Sequence, residues 1–170
     1  FNTGAWHLAD DGEMFFGGMD GLNSFYPEEI TQNTRIPPIV ITEIRKLNVP
    51  VKREFSNGDS IQLNYDDNYF SIEFSALDYS NPSKNRYRFK LENYDEDWVQ
   101  RDASRRIAEY RRVDPGKYVF HVTGSNNDGY WNEEGCRLHI IILPPWWDTL
   151  LFRISFGVLI FIILWSFIYW

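Results

Sequence analysis

Five arginines fall within twelve residues, at Arg101, Arg105, Arg106, Arg111 and Arg112, a density that could hold an anionic glycan or the acidic patch of a partner. Asp and Glu stand close by in the same stretch, so pairing along a solvated strand and loop is the simpler reading. His121 and His139 are both expected to point outward from neighbouring strands, where a two-histidine surface site is conceivable; ordinary exposed histidines account for them with less. Asp10-Asp11-Gly12-Glu13 and Asp95-Glu96-Asp97 carry oxygen ligands for Ca²⁺ but lack the twelve-residue loop closed by a Glu, and read as solvated turns. Gly17-Gly18-Met19-Asp20-Gly21 has neither the GxGxxG spacing of a phosphate loop nor a helical pattern after it, which makes it a turn. No Ser/His/Asp order and no carboxylate pair stands at catalytic spacing. These residues predict no catalysis, no metal site and no cofactor in this chain.

The bulk composition bounds the rest. Lys and Arg number 17 against 24 Asp and Glu, giving a formal charge of −7 and a pI of about 4.9, which argues against nucleic acid as a partner. A chain that is 44% hydrophobic and 24% charged is not disordered, and an aromatic share of 18% favours β-structure. The single cysteine, Cys136, excludes an internal disulfide and a Cys-rich metal site.

From Ile154 to Trp170 there are 17 residues without a charge, eleven of them Leu, Ile, Val or Phe. As a helix this run is about 26 Å long, and starting it at Asp148 or Thr149 extends it to the roughly 30 Å of a hydrocarbon core. Val158 to Leu164 is apolar on every side, so no polar stripe survives. Trp146 and Trp147 at one end, with Trp165, Tyr169 and Trp170 at the other, are placed as interfacial aromatic belts. Residues 148–170 are therefore expected to span a membrane. Arg137 and Arg153 are the only basic residues in the 34 that end at Trp170, so loop charge leaves the orientation open. Phe1 in place of Met, with no signal sequence after it, is explained equally by processing and by excision from a longer chain.

The elements that carry these residues are strands. Ala5–Leu8 and Met14–Gly17 flank the hairpin signal Asp10-Asp11-Gly12, and Gly21–Tyr26 follows, three strands that are too few to fold alone. Ile36-Pro37-Pro38 and Pro144-Pro145 bound the next region. Within it, Phe70, Ile72, Phe74 and Ala76 share one strand face; Tyr87, Phe89 and Leu91 another; and Tyr118, Phe120 and Val122 a third, with Val119, His121 and Thr123 outward. Leu138, Ile140 and Ile142, with Val40–Leu47, Ile61–Tyr65 and Ile107–Tyr110, bring the count to seven. Seven strands in about 108 residues predict an all-β immunoglobulin-like or fibronectin-III-like β-sandwich. Asp114-Pro115-Gly116 just before Tyr118 predicts a tyrosine corner, its hydroxyl bonding back to the upstream backbone.

The order of motifs resembles a known family. Residues 11–30, DGEMFFGGMDGLNSFYPEEI, resemble the last repeat of the two-component-regulator type of β-propeller. Residues 36–143 are similar to the triple-tyrosine (Y_Y_Y) domain, with Tyr87 in NRYRFKLENYDEDW, Tyr110 in AEYRRVDPG and Tyr118 in GKYVFHV as the namesake tyrosines. Trp98, Trp131 at the end of SNNDGYW, and the exit PPWWDTLLF also match. The resemblance implies three parts: a propeller-repeat remnant at 1–30, the sandwich at 36–143 and a transmembrane helix at 148–170.

It further implies the membrane-proximal module of a hybrid two-component sensor kinase in a bacterial inner membrane, with residues 1–147 periplasmic and a histidine kinase beyond Trp170. The expected partners are a second copy through the sandwich and an oligosaccharide on the upstream propeller. Tyr87, Trp98, Tyr110, Tyr118 and Trp131 are expected to define the fold, and Pro144, Pro145, Trp146 and Trp147 to couple sandwich to helix. A membrane-anchored glycan-binding or adhesion protein without kinase output is the alternative, and an accessory domain of a surface enzyme ranks below it.

Overall fold

Alternation of apolar and polar residues becomes twelve strands in a computed structural model that describes residues 4–47, 49–67 and 69–170. Residues 1–3 of the first expected region lie outside the described residues. The chain divides into two compact units, Phe1–Thr34 and Arg35–Trp170.

In the first unit β1 (Trp6–Leu8), β2 (Met14–Gly18) and β3 (Gly21–Phe25) form an antiparallel meander in sequence order. The first turn closes with the Ala9 N–H donating to the Glu13 carbonyl at 2.9 Å, and Gly12 supplies the positive φ of 90° it needs. Phe16 and Phe25 stack at 5.7 Å across β2 and β3, yet no side chain of residues 4–34 is fully buried. Two short hairpins sharing a strand bury too little to make a core of their own.

In the second unit nine strands make two sheets. One is ordered β10-β7-β4-β5, from β4 (Ile39–Lys46), β5 (Val49–Phe55), β7 (Tyr69–Ala76) and β10 (Ile107–Arg111). The other is ordered β6-β12-β11-β8-β9, from β6 (Ser60–Leu63), β8 (Arg86–Glu92), β9 (Val99–Asp102), β11 (Gly116–Ser125) and β12 (Trp131–Ile142). β6 pairs parallel to the end of β12; every other pairing is antiparallel. The sandwich class read from the sequence holds, with two strands more than seven. β5 escapes the pattern because Val-Pro-Val-Lys-Arg-Glu-Phe does not alternate, and β9 because Val-Gln-Arg-Asp is four residues with one apolar member.

The core lies between the inner faces. Phe74 of one sheet sits among Tyr87, Phe89 and Phe120 of the other, at ring distances of 5.4, 5.5 and 6.3 Å, and Ile41, Ile72, Leu91, Leu138 and Ile140 fill around them. Burying each such aromatic ring is worth on the order of 2–3 kcal/mol. Two bulges adjust the pattern. A shift between Ile41 and Glu43 lets Ile41 and Ile44 both point inward. A larger one on β12 lies opposite Val122 and Gly124, which pair with Cys136 and Asn132. Asn132 fixes it, accepting from the Gly135 N–H at 3.0 Å and donating to the Pro37 carbonyl at 2.9 Å.

The second bulge corrects one expectation. His121 and Thr123 lie on the outer face of β11 as the alternation requires, but both are buried, because the bulge and the Trp98 ring cover them. His121 Nε2 is 3.0 Å from the Glu134 carbonyl and its ring lies 5.1 Å from that of Trp98, so it is no open surface ligand.

The three tyrosines each solve the same problem, a buried ring with a hydroxyl that must not be left unpaired. Tyr87 accepts from the Ala76 N–H at 3.2 Å, tying the two sheets together. Tyr110 donates to Asp95 at 2.9 Å, and that carboxylate also accepts the Leu91 N–H at 2.7 Å. Tyr118 donates to the Asp114 carbonyl at 2.9 Å, closing the tyrosine corner. Burial first, then the Asp95 carboxylate, hold the Tyr110 hydroxyl protonated well past the ordinary phenol range. Burial also raises Tyr118.

Three outcomes follow from this packing. Tyr118→Phe should cost about 1 kcal/mol and Tyr110→Phe about 1.5–2 kcal/mol in urea melts, the second more because its acceptor is charged. A phenol pKa raised in the folded state contributes stability that is complete below the unfolded value of about 10 and lost as pH rises past it. Wild-type stability should therefore fall above about pH 10, and less steeply in Tyr110→Phe. A Cβ on Gly135, at φ 60°, would stand 2.1 Å from the Val122 carbonyl oxygen, so Gly135→Ala should cost about 3 kcal/mol or more by the same melts.

Candidate functional site at the sandwich–helix junction

β12 lies between β11 and β6, so its last residues are hydrogen-bonded on both sides: Gly116 pairs with Ile142 on one, Leu63 with Ile142 on the other. The Leu143 N–H still donates to the Leu63 carbonyl, at 2.8 Å. Pro144 and Pro145 follow, with no N–H to give and with their φ fixed by the ring. A 3₁₀ turn at Trp146–Asp148 then leads into α1 (Leu150–Tyr169). Of the two expected N-caps Thr149 serves: its hydroxyl accepts from the Phe152 N–H at 3.4 Å and donates to the Trp146 carbonyl at 2.7 Å. Asp148 instead pairs with Arg153, the one charged residue of the helix.

α1 has 20 residues, about 30 Å at helical rise, and is long and apolar enough to cross a membrane by length and composition. None of its residues is buried, and its apolar side chains face all directions.

Both tryptophans of the junction are engaged. Trp146 meets Trp147 edge-on at 5.5 Å and Phe152 of the first helical turn at 5.0 Å. Trp147 meets Tyr65 edge-on at 5.0 Å. Tyr65 belongs to the turn after β6, so strand, turn and helix entry form one connected unit. The sequence run Ile61–Tyr65 looks extended and predicts a strand that includes Tyr65. The strand stops at Leu63, where the Asn64 N–H donates to Asp67 at 2.8 Å and turns the chain.

The five arginines do not converge. Arg101 is on β9, at the edge of the five-stranded sheet. Paired with Tyr87, it faces inward and lies 5.8 Å over the Phe89 ring. Its Nε is buried without a hydrogen-bond partner, while Nη1 donates to the Gln100 carbonyl at 3.0 Å. The other four belong to the edge of the opposite sheet. Arg105 reaches Glu109 at 3.4 Å, Arg106 donates to the Ser75 hydroxyl at 3.1 Å, and Arg111 lies 5.2 Å over Tyr69. Arg112 is exposed with φ 56°.

Trp98 and Trp131 lie outside the core and clamp Arg88, whose guanidinium is 5.3 and 4.9 Å from their rings. Arg88 also donates to the Thr123 hydroxyl at 3.0 Å and pairs with Glu133 on the bulge. The alternation on β8 marks Arg88 as outward. Its two tryptophan partners, 10 and 43 positions away in sequence, carry no pairing signal.

The edge contact at the junction is worth about 0.5–1.5 kcal/mol beyond the area it buries. A double-mutant cycle of Tyr65→Leu and Trp147→Leu, read by thermal unfolding, should return a coupling energy in that range.

Residues 78–143 match the family model described as the Y_Y_Y domain. A protein named histidine kinase P4, from Formosa agariphila, is 32% identical over 157 residues, covering 85% of this chain and 11% of that protein. The extracellular domain of a B. thetaiotaomicron protein described as the hybrid two component system BT3049 superposes with a TM-score of 0.67 at 28% identity, over 82% of this chain and 20% of that one. A second B. thetaiotaomicron extracellular domain, BT4673, is described in one structure as a hybrid two component system and in another as a one component system. It superposes with TM-scores of 0.60 and 0.61 at 27% identity, over 84% and 83% of this chain and 20% of that one. The chain thus spans about a tenth of the curated relative and a fifth of each solved chain. Residues 78–143 thus match the Y_Y_Y domain model, in a chain similar to a protein named histidine kinase and to the extracellular domains of proteins described as hybrid two component systems.

Proposed function

We propose that this chain is the membrane-proximal transmission module of a hybrid two-component sensor kinase. In this reading residues 1–147 are periplasmic, residues 1–30 are the last repeat of a β-propeller, and α1 crosses the inner membrane toward a cytoplasmic kinase. Ligand binding on the propeller, with an oligosaccharide as the expected ligand, changes how two sandwiches of a dimer sit against each other.

The observation that carries the proposal is the continuity of β12 with the helix. β12 is held on both sides up to Ile142, Leu143 remains bonded to Leu63, and Trp147 is braced on Tyr65. The two prolines between them restrict the dihedrals through which a displacement would otherwise dissipate. A shift of the strand is therefore passed to the helix as a rigid displacement.

Reading the source frame past both ends tests the assignment. A histidine-bearing dimerisation helix and an ATP-binding domain after Trp170, with propeller repeats before Phe1, would support it. A stop codon within a few basic residues of Trp170 would leave a membrane-anchored binding protein. The mechanism makes its own demand: Pro144→Gly with Pro145→Gly should abolish most ligand-dependent autophosphorylation of the complete sensor while the sandwich melts at an unchanged temperature. Undiminished signalling from that variant would sink the rigid-junction mechanism.

A further inference from the structure

The strand directions define two ends of the sandwich. β4, β6 and β12 all run toward the helix, and the turns after Lys46, Leu63, Glu92, Arg111 and Ile142 gather at that end. Exposed large apolar side chains concentrate on this rim: Leu47, Val49, Tyr65 and Tyr94, beside Trp146 and Trp147. The opposite rim has Ile36, Leu77 and Tyr79.

The tip of the β4–β5 hairpin is the least conventional part. Leu47 has φ 46° and is 60% exposed, and Val49 after it is 64% exposed. A left-handed turn position ordinarily takes Gly, Asn or Asp, and a leucine there has strain without burial to offset it. The three non-glycine residues of positive φ among the described residues, Leu47, Asn93 and Arg112, all lie on this one rim.

Contacts tie the tip to the helix entry. The Leu47 N–H donates to the Tyr69 carbonyl at 3.2 Å, and Lys46 is 2.5 Å from Asp67. Asp67 is in the same turn as Tyr65, whose ring meets Trp147. Trp147 stands three residues before the helix, at the position of an interfacial anchor, so whatever is braced against it is held at headgroup depth.

We propose that this rim docks on the lipid surface, with Leu47 and Val49 inserting the β4–β5 turn into the interfacial layer beside the helix. The proposal rests on α1 spanning the membrane, as inferred above. The attraction is apolar: Lys46 is already paired with Asp67, Asp66 and Asp114 offset Arg112 and Lys117, and the exposed Glu92, Glu96 and Asp97 on the same rim leave it no excess positive charge to draw it to anionic headgroups. A zwitterionic surface therefore suffices, and docking should not weaken with salt. Two attachments, a helix and a hairpin tip, fix the tilt of the sandwich against the bilayer where the helix alone would leave it free to lean.

The single native cysteine is buried, so an introduced one can be labelled selectively. The whole chain, reconstituted in phosphatidylcholine vesicles, would carry an environment-sensitive fluorophore at Leu47→Cys, Val49→Cys, Tyr79→Cys or Ile160→Cys. Labels at positions 47 and 49 should be blue-shifted, quenched by headgroup-level nitroxide lipids and shielded from aqueous iodide, while position 79 stays in water and position 160 is quenched by mid-chain nitroxides. If the Leu47→Cys chain misfolds, Val49→Cys decides alone. Quenching at 160 with water exposure at 47 and 49 would overturn the docking and leave the span intact. No lipid quenching at 160 would overturn both. Shielding at 47 that vanishes as protein is diluted in lipid would mean that a second copy covers the tip, and would overturn the proposal.

Discussion

Everything in the second unit depends on closing two sheets over an aromatic layer. Phe74 sits near the middle of one sheet and meets three rings of the other, and the neighbouring contacts Phe89–Phe120 at 5.8 Å and Tyr110–Phe120 at 6.3 Å extend that layer. Aromatic rings fill such a layer with large area, but tyrosine brings a hydroxyl that has to be answered inside or at the edge. The sandwich answers each in a different way: one accepts from a strand end, one donates to a turn carboxylate, one donates to the backbone of its own corner. The last two bonds fix the turns at 91–95 and 113–118, and hence the end of the sandwich from which the helix departs.

Most of the architecture was legible because burial writes a period of two into the strands. Phe70, Ile72 and Phe74, or Tyr87, Phe89 and Leu91, can be read directly, and the uncharged run to Trp170 could be little else but a helix. What escaped was whatever depends on a partner distant in sequence. β9 has one apolar residue and exists because Val99 pairs with Phe89. His121 looks exposed from its own strand and is buried because Trp98 arrives from a turn and the bulge at 133–135 folds over it. Tyr65 gains its place from Trp147, 82 positions later.

The junction differs from the core in kind. The core is a many-body packing in which the loss of one contact is shared among neighbours. At the junction a few interactions act in series: a backbone bond from Leu143, two stiff prolines, one edge-on ring pair, one hydroxyl cap. Elements in series carry the same load, so the most compliant of them sets the stiffness of the whole, and the loss of any one is not shared among neighbours.

Arg101 bears on which edges of the sandwich can accept a further strand. An edge strand offers unpaired backbone groups to any passing strand, and proteins often guard such edges with a charge turned inward. β9 is an edge of only four residues, and its Arg101 is turned over Phe89 with a buried, unpartnered Nε. A strand added alongside β9 would seal that guanidinium away from water with nothing to neutralise it. The five-stranded sheet is thereby protected from growing at this edge.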